Sequence, residues 1–216
     1  MRTDNAGLGG LLSAGLSALG LETCSVREQK LLDYLALMHR WNRVYNLTAV
    51  RDRETMIARH LIDSLAVAPY LRGNCFLDVG SGAGLPGIPL ATWFPERRFT
   101  LLDSSGRKAR FLMQAKIELG LANVEVVQAR VQDVQIAGGY DGILSRAFSS
   151  LADLVNAAGH LLAPEGTIYA FKGTRPEAEL CALPKTYRVR ALRSVTIPGT
   201  NADRHLVELM VHTDYS

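Results

Sequence analysis

Four glycines follow a short apolar run in the sequence FLDVGSGAGLPGIP, which spans residues Phe76 to Pro89. The apolar run predicts a β-strand, and the two prolines predict the first turn of a helix, where backbone N–H groups lack intrahelical partners. Gly82, Gly84 and Gly87 have the spacing G-x-G-x-x-G, which lets a ligand approach the backbone closely. We therefore expect a strand, a ligand-binding turn and a helix in succession, the alternative being a tight turn that binds nothing.

Alternating strand and helix patterns continue beyond this segment. The predicted strands are Cys75–Val79, Phe99–Asp103, Val124–Gln128, Gly142–Ser145 and Thr167–Phe171. The predicted helices are Pro86–Phe94, Arg107–Leu119 and Leu151–Leu162, the last with Ser150 as its cap. This alternation is typical of an α/β fold with a parallel sheet covered by helices on both faces. Two further runs, Tyr187–Ile197 and His205–His212, predict an antiparallel pair of strands at the sheet edge.

The residues before Gly73 have helical periodicity only. Ser25 and Glu28 have the spacing of a capping box at the start of a helix that reaches about Asn46, and Asp52 is the predicted cap of another. An earlier amphipathic helix has its apolar positions at Leu8, Leu12, Leu16 and Leu19. The sequence therefore predicts a helical N-terminal extension, residues 1–73, and an α/β domain, residues 74–216.

Composition excludes several protein classes. Of 216 residues, 48% are hydrophobic and 21% are charged, which is typical of a globular protein and not of a disordered one. The net charge of +3 permits a nucleic-acid partner without requiring one. Cys24, Cys75 and Cys181 are too widely spaced for a zinc site, and Leu11–Leu21 is too short to span a membrane. We expect a cytoplasmic protein that binds neither metal nor membrane.

Two ligands fit the glycine-rich turn, a dinucleotide and S-adenosylmethionine. A dinucleotide fold expects a second nucleotide-binding half, and the sequence has no second glycine fingerprint. The order Asp-x-Gly-x-Gly-x-Gly from Asp78 resembles motif I of class I S-adenosylmethionine-dependent methyltransferases, which have a Rossmann-like fold. Asp103 ends the next strand about 20 residues after the glycines, where a carboxylate binds ribose hydroxyls. Asp78 would suit a cationic ligand, or would accept hydrogen bonds from turn N–H groups.

Several segments together resemble the bacterial RsmG family, also called glucose-inhibited division protein B. They are WNRVYNLT from Trp41, RHLIDS from Arg59, the stretch Asp78 to Pro89, LLDS from Leu101, SRAF from Ser145 and RHLV from Arg204. The resemblance runs from about residue 20 to residue 212. It implies methylation of guanine N7 at position 527 of 16S ribosomal RNA in the small (30S) ribosomal subunit.

The resemblance also implies residue roles. Gly80 and Leu85 match cofactor-loop contacts, Val131 and Gln132 match the pair beside the adenine, and Arg146 matches an arginine near the reacting methyl. The family usually has an acidic residue where Gln132 stands, which leaves the adenine contact open. The full set of predicted cofactor contacts is Asp78, Gly80, Gly82, Gly84, Leu85, Asp103, Val131, Gln132 and Arg146.

The predicted chemistry needs no general base. Enzymes that methylate exocyclic amines carry an Asn/Asp-Pro-Pro-aromatic tetrad where this chain has Ser145–Phe148, and neither Cys75 nor Cys181 occupies a loop that suits a nucleophile. Guanine N7 has an in-plane lone pair, so no proton has to leave before methyl transfer. Catalysis then rests on alignment, which can supply about 7–11 kcal/mol, with Arg146 as the predicted catalytic residue.

Some side chains have two interpretations. Arg146 could instead be a structural partner of Asp133 or Asp141, and Phe148 either stacks on guanine or packs in the core. His60, Asp63 and Ser64 share a helix face, as a hydrogen-bond cluster or as a wall of the site. The predicted RNA contacts are Phe148, Lys172 and Arg175. The alternative for the two basic residues is a solvated surface.

Two other functions compete with methylation of guanine N7 in 16S RNA. One is a methyltransferase acting on another RNA guanine or on a small molecule. The other is a ribosome-assembly binding module with a vestigial cofactor site.

Overall fold

The computed structural model describes residues 3–146, 148–200 and 203–212, so Ala147 of the Ser145–Phe148 segment lies outside it. In this part of the chain, strands form one sheet in the order β3-β2-β1-β4-β5-β7-β6. The strands are β1 Cys75–Val79, β2 Arg98–Leu102, β3 Val124–Val127, β4 Tyr140–Ser145, β5 Leu162–Lys172, β6 Tyr187–Ser194 and β7 His205–Val211. β1 to β5 are parallel, and β7 is antiparallel to both β5 and β6. The predicted α/β fold and its antiparallel C-terminal strands are confirmed.

Helices cover both faces of this sheet. They are α1 Thr3–Ala18, α2 Ser25–Tyr45, α3 Arg53–Met56, α4 Asp63–Leu65, α5 Gly87–Trp93, α6 Gly106–Glu118, α7 Leu151–Ala158 and α8 Glu177–Cys181. A π-helical turn, Ile57–Ile62, joins α3 to α4. Single 3-10 turns span Ala68–Tyr70, Val131–Asp133 and Gly159–Leu161. None of the described helices has the length and hydropathy to cross a membrane.

The N-terminal helices share a hydrophobic core with one face of the sheet. Leu12 and Leu16 of α1 and Leu35 of α2 belong to the same buried cluster as Phe76 of β1 and Phe99 of β2. The rings of Phe76 and Phe99 stack in neighbouring strands, 5.2 Å apart. The change of pattern near residue 73 is therefore a change of secondary structure within one continuous core.

Local capping was predicted correctly at two helices, those capped by Asp52 and Ser150, and wrongly at a third. Asp52 accepts a hydrogen bond from the Thr55 N–H at 2.7 Å, as predicted. The predicted Ser25 capping box is wrong, because Cys24 is the N-cap and makes no side-chain cap bond. Glu28 instead accepts from the Cys24 N–H at 3.2 Å and from the Ser13 hydroxyl of α1. Packing of α1 on α2 has given this carboxylate a tertiary partner.

Other differences concern the ends of elements. The predicted helix Leu151–Leu162 ends at Ala158, and β5 begins at Leu162, several residues before the predicted Thr167. Helix α8 and the π-helical turn were not predicted. The π turn is a tertiary feature, since the apolar periodicity of residues 57–68 also fits a regular helix.

Replacement of Gly87 by Ala should destabilise the fold by about 1–3 kcal/mol through overpacking. A Cβ at residue 87 would lie 2.2 Å from Leu101 Cδ2 and 2.7 Å from Asp78 Oδ2. Gly10→Ala is the matched control, because its Cβ would meet nothing within 4 Å in helix α1. That variant should gain about 0.5–1 kcal/mol from reduced backbone entropy of the unfolded chain. Urea unfolding of both variants measures the two effects; equal stability of the two would contradict the packing role of Gly87.

Candidate active site

A cleft of about 550 Å³ lies at the carboxyl ends of β1, β2 and β3. This is the edge at which open α/β sheets bind ligands. Its wall includes five of the residues predicted from the sequence: Gly80, Asp103, Val131, Gln132 and Phe148. The other lining residues are Val79, Leu102, Ser104, Lys108, Gln128, Ala129 and Arg130. Asp78, Gly82, Gly84, Leu85 and Arg146 do not line the cleft itself.

The glycine-rich turn is tied to the end of the neighbouring strand. The N–H groups of Gly80 and Ser81 both donate to the Leu102 carbonyl, at 2.9 and 3.0 Å. Gly80 and Gly82 have φ of 70° and 61°, a left-handed backbone that favours glycine. A Cβ at Gly82 would meet no atom closer than 3.8 Å, so the space beside this glycine is open to a ligand. Gly84 is different, because its Cβ would lie 2.5 Å from Ile88 Cδ1.

Asp103 is the carboxylate of the cleft. Its Oδ2 accepts from the Gly82 N–H at 2.9 Å and lies 3.6 Å from Lys108 Nζ, and its Oδ1 accepts from the Ser105 N–H at 2.9 Å. The residue is 5% exposed and borders the cleft. An ionised carboxylate has about four lone-pair sites, so these three contacts leave it able to accept from a ligand hydroxyl.

Asp78 lies under the turn, not in the cleft. Its Oδ2 accepts from the Ser81 hydroxyl at 2.5 Å and from the Gly87 N–H at 3.0 Å. Its Oδ1 is buried and has no hydrogen-bond partner. Burial raises the pKa of Asp78 to about 6, because the charged form is desolvated. Of the two interpretations of Asp78, the structure shows the one in which the carboxylate holds the turn.

Arg146 follows β4 and forms an ion pair with Asp63, with 3.1 Å between Nη2 and Oδ2. The alternative partners Asp133 and Asp141 were wrong. Asp141 instead accepts from the N–H groups of Asn74 and Cys75, at the amino end of the sheet. The partner comes from the N-terminal helices, which sequence spacing could not indicate.

The predicted helix-face group of His60, Asp63 and Ser64 is buried. His60 Nε2 lies 2.9 Å from Thr48 Oγ1, which fastens the loop after α2. Burial lowers the pKa of His60, so its ring is neutral at pH 7. His60 Nδ1 and Ser64 Oγ are buried without a partner. All three side chains are buried, and the choice between a hydrogen-bond cluster and a wall of the site stays a prediction.

The predicted RNA-contact residues have different surroundings. Phe148 borders the cleft and also packs against the buried cluster around Ile143. The Lys172 side chain is 11% exposed, and its Nζ lies 2.7 Å from Glu179 Oε2. This ion pair joins β5 to α8, and the RNA contact of Lys172 stays a prediction. The Arg175 side chain is 62% exposed and pairs with Glu177 at 2.5 Å, so it remains available at the surface.

Sequence reasoning missed Lys108, Gln128 and Arg130 as cleft residues. Lys108 belongs to the basic start of α6, shortly after Asp103, and the other two follow β3. Their position in the sequence could have indicated them, because each follows the carboxyl end of a parallel strand. Among the described residues, no three His, Cys, Asp or Glu side chains are grouped so as to hold a metal ion.

Comparisons with known proteins give one family. The family model described as GidB, rRNA small subunit methyltransferase G, matches residues 27–207. The ribosomal RNA small subunit methyltransferase G of Pseudomonas aeruginosa (strain LESB58) is 51% identical over 199 residues, covering 92% of this chain and 93% of that protein. The protein of the same name from Nitrosospira multiformis is 51% identical over 205 residues, covering 92% and 95%.

A solved structure gives the same fold at low identity. The glycopeptide N-methyltransferase MtfA, complexed with S-adenosyl-L-homocysteine, has a TM-score of 0.62 at 11% identity. The match covers 71% of this chain and 87% of that chain. At this identity the likeness shows the fold alone.

The stability contribution of Asp78 should depend on pH. Because its folded pKa is raised to about 6, the folded protein retains a proton that the unfolded chain releases near pH 4. The contribution is therefore present below pH 4 and is lost as pH rises through 6. We expect the difference in unfolding free energy between the wild type and Asp78→Asn to fall by about 2–3 kcal/mol over this interval.

Asp52→Asn is the control for this titration. Hydrogen bonds from Thr55 lower the pKa of Asp52, so its contribution is lost only as pH falls below about 4 and should stay nearly constant between pH 4 and pH 7. Urea unfolding of the three proteins from pH 4 to pH 7 measures both differences. A difference for Asp78→Asn that does not change with pH would contradict the raised pKa of this buried carboxyl.

Proposed function

Because this chain belongs to the GidB family of rRNA small subunit methyltransferase G proteins, we propose that it methylates guanine N7 in small-subunit ribosomal RNA, with S-adenosylmethionine as methyl donor. The observation that carries the proposal is the Asp103 carboxylate, which borders the cleft beside the glycine turn at the end of β2. Position 527 of the 16S RNA, as the target, rests on the resemblance in sequence.

The cleft residues fit the cofactor. Asp103 retains acceptor capacity for a ribose hydroxyl, and the left-handed turn leaves the backbone beside Gly82 open. Val131 is a buried apolar residue of the wall and Gln132 is exposed next to it, a pair suited to the face and the amino edge of adenine. Asp78 and Leu85 support the turn from below and not through contact with the cleft.

The proposed reaction does not require these residues to transfer a proton. The sulfonium of S-adenosylmethionine supplies an electrophilic methyl group. Guanine N7 has a free lone pair, so no general base has to remove a proton. The protein has to align the guanine and exclude water. Asp78 is buried and holds the glycine turn, and His60 is buried and holds the loop after α2. This agrees with a site without a general base.

Arg146 and Phe148 are the proposed residues nearest the target base. Both follow β4, the strand beside β1, so they lie on the side of the cleft away from β2 and Asp103. Phe148 borders the cleft with part of its ring surface and can stack on a purine. Arg146 retains a guanidinium nitrogen, Nη1, without a protein partner.

Exposed arginines are the proposed phosphate contacts. They are Arg130, which lines the cleft, and Arg107, Arg110 and Arg175. Arginine presents several N–H donors to phosphate oxygens, and such contacts orient RNA without reading its sequence. The proposed partner is the 16S RNA, free or in the 30S subunit, and the proposed location is the cytoplasm.

The decisive experiment measures transfer of labelled methyl from S-adenosylmethionine to 30S subunits and to purified 16S RNA. Nuclease digestion and mass spectrometry then identify the modified base. Label in 7-methylguanosine supports the proposal. Label in another base, or only in small molecules, supports a different methyltransferase, and cofactor binding without transfer to any substrate supports the assembly-module alternative.

Removal of the Asp103 carboxylate should weaken cofactor binding. Since hydrogen bonds to charged groups contribute about 1.5–3 kcal/mol, Asp103→Ala should raise the Kd for S-adenosylmethionine by about 10- to 100-fold. Asp141→Ala is the matched control, since Asp141 also accepts from two backbone N–H groups, but at the opposite end of the sheet. Titration calorimetry measures both; equal effects would place the cofactor elsewhere.

The single-turnover rate of methyl transfer should not vary log-linearly with pH. A reaction that required a free base with a pKa near neutrality would show a unit slope between about pH 6 and pH 8. Rapid quenching with saturating RNA and cofactor measures this rate. A unit slope in that interval, with binding unchanged, would overturn the base-free reaction.

Arg175 and Lys172 should respond differently to neutralisation. Arg175→Ala should lower the slope of log affinity for RNA against log salt by about 0.7–0.9, the loss of one phosphate contact. Lys172→Ala should leave that slope unchanged and lower the melting temperature, because the Glu179 carboxylate loses its cationic partner. Filter binding of RNA to each variant, from low to high salt, measures the two slopes. A reduced slope only for Lys172→Ala would reverse the assignment.

A further inference from the structure

The Asp63 carboxylate is held between two arginines from distant parts of the chain. Arg146 Nη2 lies 3.1 Å from Oδ2, and Arg204 Nε lies 2.7 Å from Oδ1. The Asp63 side chain is 3% exposed, and those of Arg146 and Arg204 are 27% and 28% exposed. Each carboxylate oxygen thus has its own guanidinium in a largely desolvated position, where charge-assisted hydrogen bonds are strong.

Three elements meet at this carboxylate. Asp63 begins α4, directly after the π-helical turn. Arg146 follows the last residue of β4, and Arg204 precedes the first residue of β7. Because β7 is antiparallel to β5, with His205 paired to Lys172, the start of β7 lies at the edge where β4 and β5 end. Asp63 therefore ties the N-terminal helices to the sheet edge that carries the cleft.

The guanidinium of Arg146 depends on this carboxylate for its position. In the described part of the chain, the contact with Asp63 is the ion pair that Arg146 makes, and Arg146 Nη1 is buried without a partner. Without a negative charge at residue 63, Arg146 and Arg204 would face each other as two uncompensated cations. Breaking a buried pair in this way is strongly unfavourable, so Arg146 would move.

We propose that Asp63 is a positioning residue for methyl transfer, acting through Arg146. Its carboxylate fixes the Arg146 guanidinium at the end of β4, two residues before Phe148, which borders the cleft on the side proposed for the target base. This inference rests on the proposed function. A misplacement of about 1 Å in an aligned site can cost about 100-fold in rate, so the orientation of Arg146 governs turnover and not cofactor binding.

The π-helical turn supplies the geometry. It widens the helix by one residue per turn at Ile57–Ile62, so that His60 reaches Thr48 while Asp63 reaches both arginines. Such turns inside helices are frequent at functional sites. Here the π-helical turn brings the contact of His60 with Thr48 and the ion pair of Asp63 with Arg146 close together.

The test substitutes Asp63 and measures kcat, KM for 30S subunits and Kd for S-adenosylmethionine. Asp63→Asn should lower kcat by about 10- to 100-fold, with the cofactor Kd within about twofold of the wild type. Asp63→Glu keeps the charge but moves the carboxylate by a methylene, so its kcat should fall less and its melting temperature should stay near the wild-type value. An unchanged kcat in folded Asp63→Asn would overturn the proposal.

Glu208→Gln is the matched control for loss of a buried, ion-paired carboxylate. Glu208 is 1% exposed and pairs with Arg193 at 2.5 Å, between β6 and β7. The Glu208→Gln variant should lose stability, as Asp63→Asn does, but should retain the wild-type kcat. A parallel loss of kcat in Glu208→Gln would mean that reduced stability, and not the position of Arg146, explains the Asp63 variants.

A double-mutant cycle with Arg146→Ala separates positioning from other roles. If Asp63 acts only through Arg146, Asp63→Asn should cause no further fall in kcat in the Arg146→Ala background. An equal fall in both backgrounds would refute the coupling. Failure of the proposed function itself has a different signature, since the wild-type protein would then transfer no label to 30S subunits.

Discussion

Two N–H groups of the glycine turn, those of Gly80 and Ser81, donate to the single carbonyl of Leu102. Leu102 ends the neighbouring strand, so the turn is fastened to β2 and does not fold back on β1. This attachment requires the left-handed backbone of Gly80. It also brings Gly82 to Asp103, the residue after Leu102, and the polar wall of the cleft follows from that contact. The cleft exists because one carbonyl organises the turn.

Two carboxylates beside this turn have opposite tasks because their surroundings differ. Asp78 is enclosed, has one oxygen without a partner and has a raised pKa, so it serves as an anchor for Ser81 and Gly87. Asp103 receives two backbone N–H groups, lies near Lys108 and borders open space. These contacts leave the Asp103 carboxylate able to accept a further hydrogen bond from the cleft.

The N-terminal helices take part in the site as well as in the core. The Tyr34 hydroxyl of α2 donates to the Ala83 carbonyl within the glycine turn, and Asp63 holds the arginine that follows β4. The same layer buries leucines of α1 and α2 against β1 and β2. A methyltransferase sheet without this layer would lose contacts to both sides of its cleft, which explains why the helices and the sheet share one core.

The sequence by itself determined the features that depend on neighbouring residues. The alternation of strands and helices, the glycine turn, the Asp52 cap and the position of Asp103 at a strand end all follow from local periodicity, φ preferences and short spacings. Tertiary structure alone decided which charges meet. Arg146 pairs with Asp63, Lys172 with Glu179, and Glu28 with the hydroxyl of Ser13, although nothing in local spacing distinguishes these partners from others. The physical reason is burial: a charged side chain takes the partner that packing brings to it when water is removed, and packing is set by the whole core.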